Sequence, residues 1–87
     1  MDIREAQEYI KTRYYDRDST RGLYATFTWF VEEVGELAEA LIKYRRESLE
    51  EEIADVFAWL LSIANLLGID LEEAFRKKYL ASENQQS

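Results

Sequence analysis

Twelve of the fifteen residues at positions 53–67 are apolar, the exceptions being Asp55, Ser62 and Asn65. At helical spacing they go nearly all the way round the segment, and a helix of that kind is buried on most sides. The chain has only 87 residues, a length at which one domain buries roughly 60% of its unfolded surface. One copy has too little mass to cover such a helix. The reading is therefore a helical bundle completed by further copies of the chain, as a homodimer or homotetramer.

The rest of the chain is also helical in character. Proline is absent and there are three glycines, while Leu, Ala, Glu, Lys and Arg are frequent. The pattern predicts four helices. The first covers about residues 2–15, with Ile3, Ala6, Tyr9, Ile10 and Tyr14 near helical spacing. Residues 16–22 are polar and charged and read as a loop. The second covers about 24–45, where Phe27, Phe30, Val34, Leu37, Leu41 and Tyr44 follow steps of three and four. The third starts at Ser48, where Ser48 and Glu51 fit a capping box, and ends near Leu67, with Gly68 as the left-handed stop. Asp70 and Glu73 form a second such box and open a last helix to about Ala81. The expected fold class is all-α, a four-helix bundle in one domain over residues 1–87, with 82–87 a frayed polar tail.

Missing residue types exclude whole classes of chemistry. With no cysteine and no histidine, there is no disulfide, no thiolate or imidazole metal site and no Ser-His-Asp hydrolase. Oxygen ligands remain, and these suit hard cations such as Mg²⁺, Mn²⁺ or Ca²⁺. A net charge of −7 argues against binding long nucleic acid through a basic patch, but not against a small anion bridged by a metal. No apolar run reaches the ~20 residues that span a membrane, and the N-terminus lacks the order of a signal peptide. A cytoplasmic location is the expectation.

Several acids on these helices have a cation three or four residues away: Glu39 with Lys43, Glu72 with Arg76, Glu73 with Lys77. Such pairs contribute ~0.2–0.5 kcal/mol each and describe solvated faces. Glu33 and Glu36 on the second helix have no such cation, nor do Glu52 and Asp55 on the third. Each pair shares a helix face. If the two helices are antiparallel the pairs face one another, where repulsion and desolvation oppose ionisation. A divalent cation would remove both penalties. The residues by themselves leave two readings open, an acidic surface and a metal site.

Residues 31–40, Val-Glu-Glu-Val-Gly-Glu-Leu-Ala-Glu-Ala, resemble the first motif of MazG-like nucleoside triphosphate pyrophosphohydrolases, and residues 51–56, Glu-Glu-Ile-Ala-Asp-Val, resemble the second. The continuation through Leu60-Leu61, Ala64-Asn65 and residues 68–74 is also similar, so the likeness covers about residues 27–78. It implies an all-α dimer or tetramer that converts a nucleoside triphosphate and water to the monophosphate and pyrophosphate. It also implies Mg²⁺, with Mn²⁺ as substitute, held by Glu33, Glu36, Glu52 and Asp55. A metal in that position neutralises phosphate charge and lowers the pKa of the attacking water. Without histidine, any side chain acting as general base must be a carboxylate, and Glu32 and Glu36 are the candidates.

Several further residues have two readings each. Trp29 lies one turn before Glu33 and Trp59 one turn after Asp55; each is a stacking surface for a base or core packing. Asn65 either bonds a base or sugar or satisfies a helix end. Arg21, Lys77 and Lys78 are candidate phosphate contacts, although residues 79–84 depart from the basic pattern that relatives carry there, and the helix dipole is a plain alternative. Gly35 costs about 1 kcal/mol mid-helix, which a close helix crossing would explain. The activity expected is house-cleaning of canonical or damaged nucleotides, since no base-reading insert is evident. Phosphoribosyl-ATP pyrophosphohydrolase and dUTP or dCTP hydrolases are enzymatic alternatives, and an acidic helical scaffold or interaction module is the non-enzymatic one.

Overall fold

The carboxylate of Asp2 accepts the Glu5 N–H at 2.8 Å, and Glu5 returns a bond to the Asp2 N–H at 3.2 Å. From this capping box α1 runs over Ile3–Arg21 in the computed structural model, which describes residues 1–80. It is followed by α2 (Leu23–Lys43), α3 (Arg46–Leu67), the short α4 (Leu71–Phe75) and a π-helical turn, Arg76–Leu80. There is no strand among the described residues, so the all-α class is as expected. The expected helix end at Ala81 and the tail at 82–87 lie outside the described residues.

The loop expected at 16–22 is not formed. The helix continues to Arg21, and the single residue Gly22, at φ +97°, joins α1 to α2. No proline interrupts the segment, and its polar side chains find partners at helical spacing. Arg21 pairs with Asp18 at 3.2 Å, Ser19 Oγ bonds back to the Asp16 carbonyl at 3.1 Å, and Arg17 lies 4.8 Å over the Tyr14 ring. Polarity here marked a helix surface, not a break.

The start of α3 also differs. Tyr44 closes α2 in the left-handed conformation (φ 50°), Arg45 stands at the N-cap, and no side chain caps the helix. Ser48 is already inside α3, so the box expected of it does not form. Tyr44 and Arg45 are the whole connection, which is short enough to require α2 and α3 to lie antiparallel side by side. At α4, Asp70 accepts the Glu73 N–H at 3.2 Å, one half of the expected box. Glu72 pairs with Arg4 of α1 at 3.3 Å rather than with Arg76, while Glu39 and Lys43 pair as expected at 3.1 Å.

Gln7 fastens α1 to the corner between α3 and α4. Its Nε2 donates to Asn65 Oδ1 at 3.0 Å and to the Ile69 carbonyl at 2.7 Å, and its Oε1 accepts the Leu71 N–H at 3.0 Å. Gly68 ends α3 in the left-handed region (φ 67°), as the pattern predicts.

The apolar interior of one chain is small: Leu61, Ala64, Ala40 and Leu49 are its buried apolar residues among those described. Along α3, Ile53, Phe57, Leu60 and Leu67 stay exposed, as do Phe27, Val31, Val34 and Leu41 on α2. These positions follow helical steps. Gly35 does not mark a close crossing within the chain, because a Cβ added there would meet nothing within 4 Å.

Candidate active site

Antiparallel packing of α2 on α3 brings the two acidic motifs together. Glu33, Glu52 and Asp55 each present a carboxylate oxygen, and these oxygens lie within 4.8 Å of one another. Glu36, one turn along α2 from Glu33, stands outside this group of three but is close enough to repel Glu33, Glu52 and Glu32.

The site holds its acids at an electrostatic cost. Desolvation is the main cause that pushes the Glu33 carboxyl above the ordinary range, and the charges of Asp55, Glu32, Glu52 and Glu36 push it further. Glu52 is raised by desolvation and then by Asp55, Glu36 and Glu51, partly offset by a hydrogen bond with Glu33. Glu32 is raised by desolvation, then by its hydrogen bond to Glu36 and by the charges of Glu36 and Glu52. Glu32 therefore belongs electrostatically to the cluster, although its side chain is exposed. None of these shifts has a cation among its causes.

A hard divalent cation fits these residues. The donors are all carboxylate oxygens, and Glu52 Oε2 is buried without a hydrogen-bond partner, an arrangement that costs free energy until something binds it. Adjacent oxygens around Mg²⁺ are about 3 Å apart and opposite ones about 4.2 Å, so the three oxygens, within 4.8 Å of one another, close by up to about 1.8 Å to share one ion.

Two cavities border the acids. One, of about 180 Å³, lies between α1 and α3 and is lined by Tyr14, Arg17, Asp18, Asp55, Trp59 and Ser62, among others. The other, of about 170 Å³, lies at the α2–α3 turn and is lined by Glu36, Glu39, Ala40, Lys43, Arg45, Ser48 and Glu52. The structure thus adds Tyr14, Arg17 and Asp18 to the neighbourhood of Asp55. Sequence reading missed Arg17 and Asp18 because it placed 16–22 in a loop, and it took Tyr14 only as an apolar position of the first helix. The i, i+3 spacing of Asp18 and Arg21 without an intervening proline was the available signal.

Trp29 and Trp59 stack on each other across α2 and α3, with ring centres 6.4 Å apart and 20° between planes. Arg21 lies over the Trp59 ring at 5.0 Å. Trp29 remains 50% exposed, so the pair is no sealed core element. Asn65 stands apart from the acids. It is ten residues, or about 15 Å of helix rise, beyond Asp55, and it exchanges hydrogen bonds with Gln7. Its amide closes the α3 end against α1. Lys78 sits in the π-helical turn with its amine 5.5 Å from the Tyr79 ring. Neither Lys77 nor Lys78 lines either of the two cavities beside the acids. No single helix among the described residues is long and apolar enough to cross a membrane.

Compared with known families, residues 21–81 match the MazG nucleotide pyrophosphohydrolase domain, a span that contains both acidic motifs and both tryptophans. No curated protein matches the chain.

Proposed function

The chain belongs to the MazG nucleotide pyrophosphohydrolase family, and from that premise we propose that it is a Mg²⁺-dependent hydrolase converting (d)NTP and water to (d)NMP and pyrophosphate. The observation that carries this reading is the convergence of Glu33, Glu52 and Asp55 oxygens within 4.8 Å, beside the buried and unpartnered Glu52 Oε2.

Glu33, Glu52 and Asp55, with Glu36 at their edge, would hold Mg²⁺ or Mn²⁺. When bound, the ion would neutralise phosphate charge and acidify the attacking water. Water oxygen forms the new bond to the α-phosphorus. The bond from that phosphorus to the bridging oxygen of the β-phosphate breaks, and its electron pair leaves with pyrophosphate. A carboxylate takes the proton from water. Glu32 and Glu36 are the candidates for this role; Glu32 has a raised pKa, and a carboxylate with a raised pKa is a better base than an ordinary one. Trp29 offers a half-exposed ring on which a base can stack, and Trp59 borders the cavity next to Asp55. The exposed apolar rows on α2 and α3 support assembly as a homodimer or homotetramer, since a monomer rarely leaves such rows open. The role is house-cleaning of canonical or damaged nucleotides, in the cytoplasm where those nucleotides are.

The test is to incubate a panel of NTPs and dNTPs with Mg²⁺ and resolve the products by chromatography, with Glu36→Gln and Asp55→Asn as controls. Monophosphate and pyrophosphate, absent in both variants, is the expected result. No turnover, together with no thermal shift on adding Mg²⁺ or Mn²⁺, would overturn the proposal.

A further inference from the structure

The two cavities beside the acids differ in character, and the difference gives the substrate a direction. The cavity between α1 and α3 has aromatic walls in Tyr14 and Trp59, which suit a nucleoside. The cavity at the α2–α3 turn has no aromatic residue. Its walls are Glu36 and Glu52 from the acidic motifs, together with Glu39, Ala40, Lys43, Arg45 and Ser48. Cations that line the same small cavity as the acids are placed to take the anionic end of a ligand whose middle lies on a metal.

Local geometry adds to this. Tyr44 in the left-handed conformation turns the chain so that Arg45 stands at the N-cap of α3. The first N–H of α3 with a backbone acceptor is that of Leu49, which bonds the Arg45 carbonyl at 2.9 Å. The N–H groups of Arg46, Glu47 and Ser48 have no side-chain cap, and they lie at the end of the helix that favours anions. Lys43 is paired with Glu39 at 3.1 Å, with both side chains more than half exposed (58% and 59%). Such a pair contributes little and yields to a stronger anion.

We propose that Arg45 and Lys43, at the α2–α3 turn, bind the β- and γ-phosphates, so that the triphosphate runs from the acids towards this turn and the pyrophosphate leaves from it. This rests on the hydrolase reading above. It assigns leaving-group recognition to the turn rather than to the basic run Arg76, Lys77, Lys78, which lines neither cavity beside the acids.

The experiment compares wild type, Arg45→Ala, Arg45→Lys and Lys43→Ala. Binding of inorganic pyrophosphate in the presence of Mn²⁺ is measured by calorimetry, and product inhibition by pyrophosphate and by nucleoside monophosphate is measured separately. Loss of one charge-assisted contact should weaken pyrophosphate about tenfold in Arg45→Ala, with partial recovery in Arg45→Lys. Monophosphate inhibition and Mn²⁺ affinity should not move. Unchanged pyrophosphate affinity in both alanine variants would overturn the assignment. So would equal weakening of pyrophosphate and monophosphate, which indicates a general distortion. Arg45-dependent pyrophosphate binding by a wild type that turns over no nucleotide would support the site while removing the hydrolase reading.

Discussion

Gln7→Ala should loosen the corner on which α4 is hung. The Gln7 side chain is buried against the α3–α4 junction and makes three hydrogen bonds, to Asn65 Oδ1, the Ile69 carbonyl and the Leu71 N–H. Each is worth ~0.5–1.5 kcal/mol net, and stranding a part-buried partner costs more than the bond itself contributed. The Leu71 N–H belongs to the first turn of α4, where water can replace its partner. The expected loss is therefore about 2–3 kcal/mol. For a domain of this size each kcal/mol moves Tm by ~4–8 °C, so a fall of about 10–20 °C should be seen by circular dichroism. Protomer concentration must be held constant, because assembly would make Tm concentration-dependent. Gln7→Glu keeps the acceptor for Leu71 but faces two oxygens without donors, and should be at least as damaging at neutral pH. A fall of less than about 4 °C in Gln7→Ala would refute the reasoning, since that is what one weak exposed bond is worth.

Three further outcomes are expected. Glu32, Glu33 and Glu52 have carboxyls raised by burial and mutual repulsion. Their contribution to stability is present below the ordinary value of about 4.5 and is lost as pH rises through the raised values. Asp70 works in the opposite sense: the Glu73 N–H above all, with Arg4, lowers its pKa, so its contribution is present above 3.8 and is lost as pH falls through the lowered value. Metal-free protein should therefore be most stable under mildly acidic conditions and weaken towards neutrality in denaturant titrations. Mn²⁺ should abolish that decline; a decline unaffected by Mn²⁺ would count against the cation. Gly35→Ala should stabilise by about 1 kcal/mol, because the added methyl meets nothing; destabilisation in thermal melts would show that a second chain packs there. Leu61, 1% exposed, should cost ~2–5 kcal/mol when cut to alanine, and a Tm within 4 °C of wild type would contradict its place in the core.

Much of the architecture was legible in the residues. Helical spacing with no proline required an all-α chain, and Gly68 stopped α3 where it was expected. Errors came at the ends of helices. Residues 16–22 were read as a loop because they are polar, yet a polar face with its own i, i+3 partners is as good a helix as an apolar one. Ser48 was read as a cap because its hydroxyl suits one, but the chain turned earlier, at Tyr44 and Arg45. Cap choice depends on where the preceding helix has to stop, and that is set by packing.

The sequence by itself determined which residue types are available for chemistry. Only carboxylates remain once cysteine and histidine are absent, and Glu33, Glu36, Glu52 and Asp55 have no cation three or four residues away on their own helix. What only the tertiary structure decided is which groups meet across helices. The convergence of Glu33, Glu52 and Asp55, the two unlike cavities flanking them and the engagement of Asn65 by Gln7 each join residues far apart in the chain. Such meetings follow from the antiparallel crossing of α2 and α3 and the continuation of α1 to Arg21, and periodicity carries no information about how one helix is placed on another.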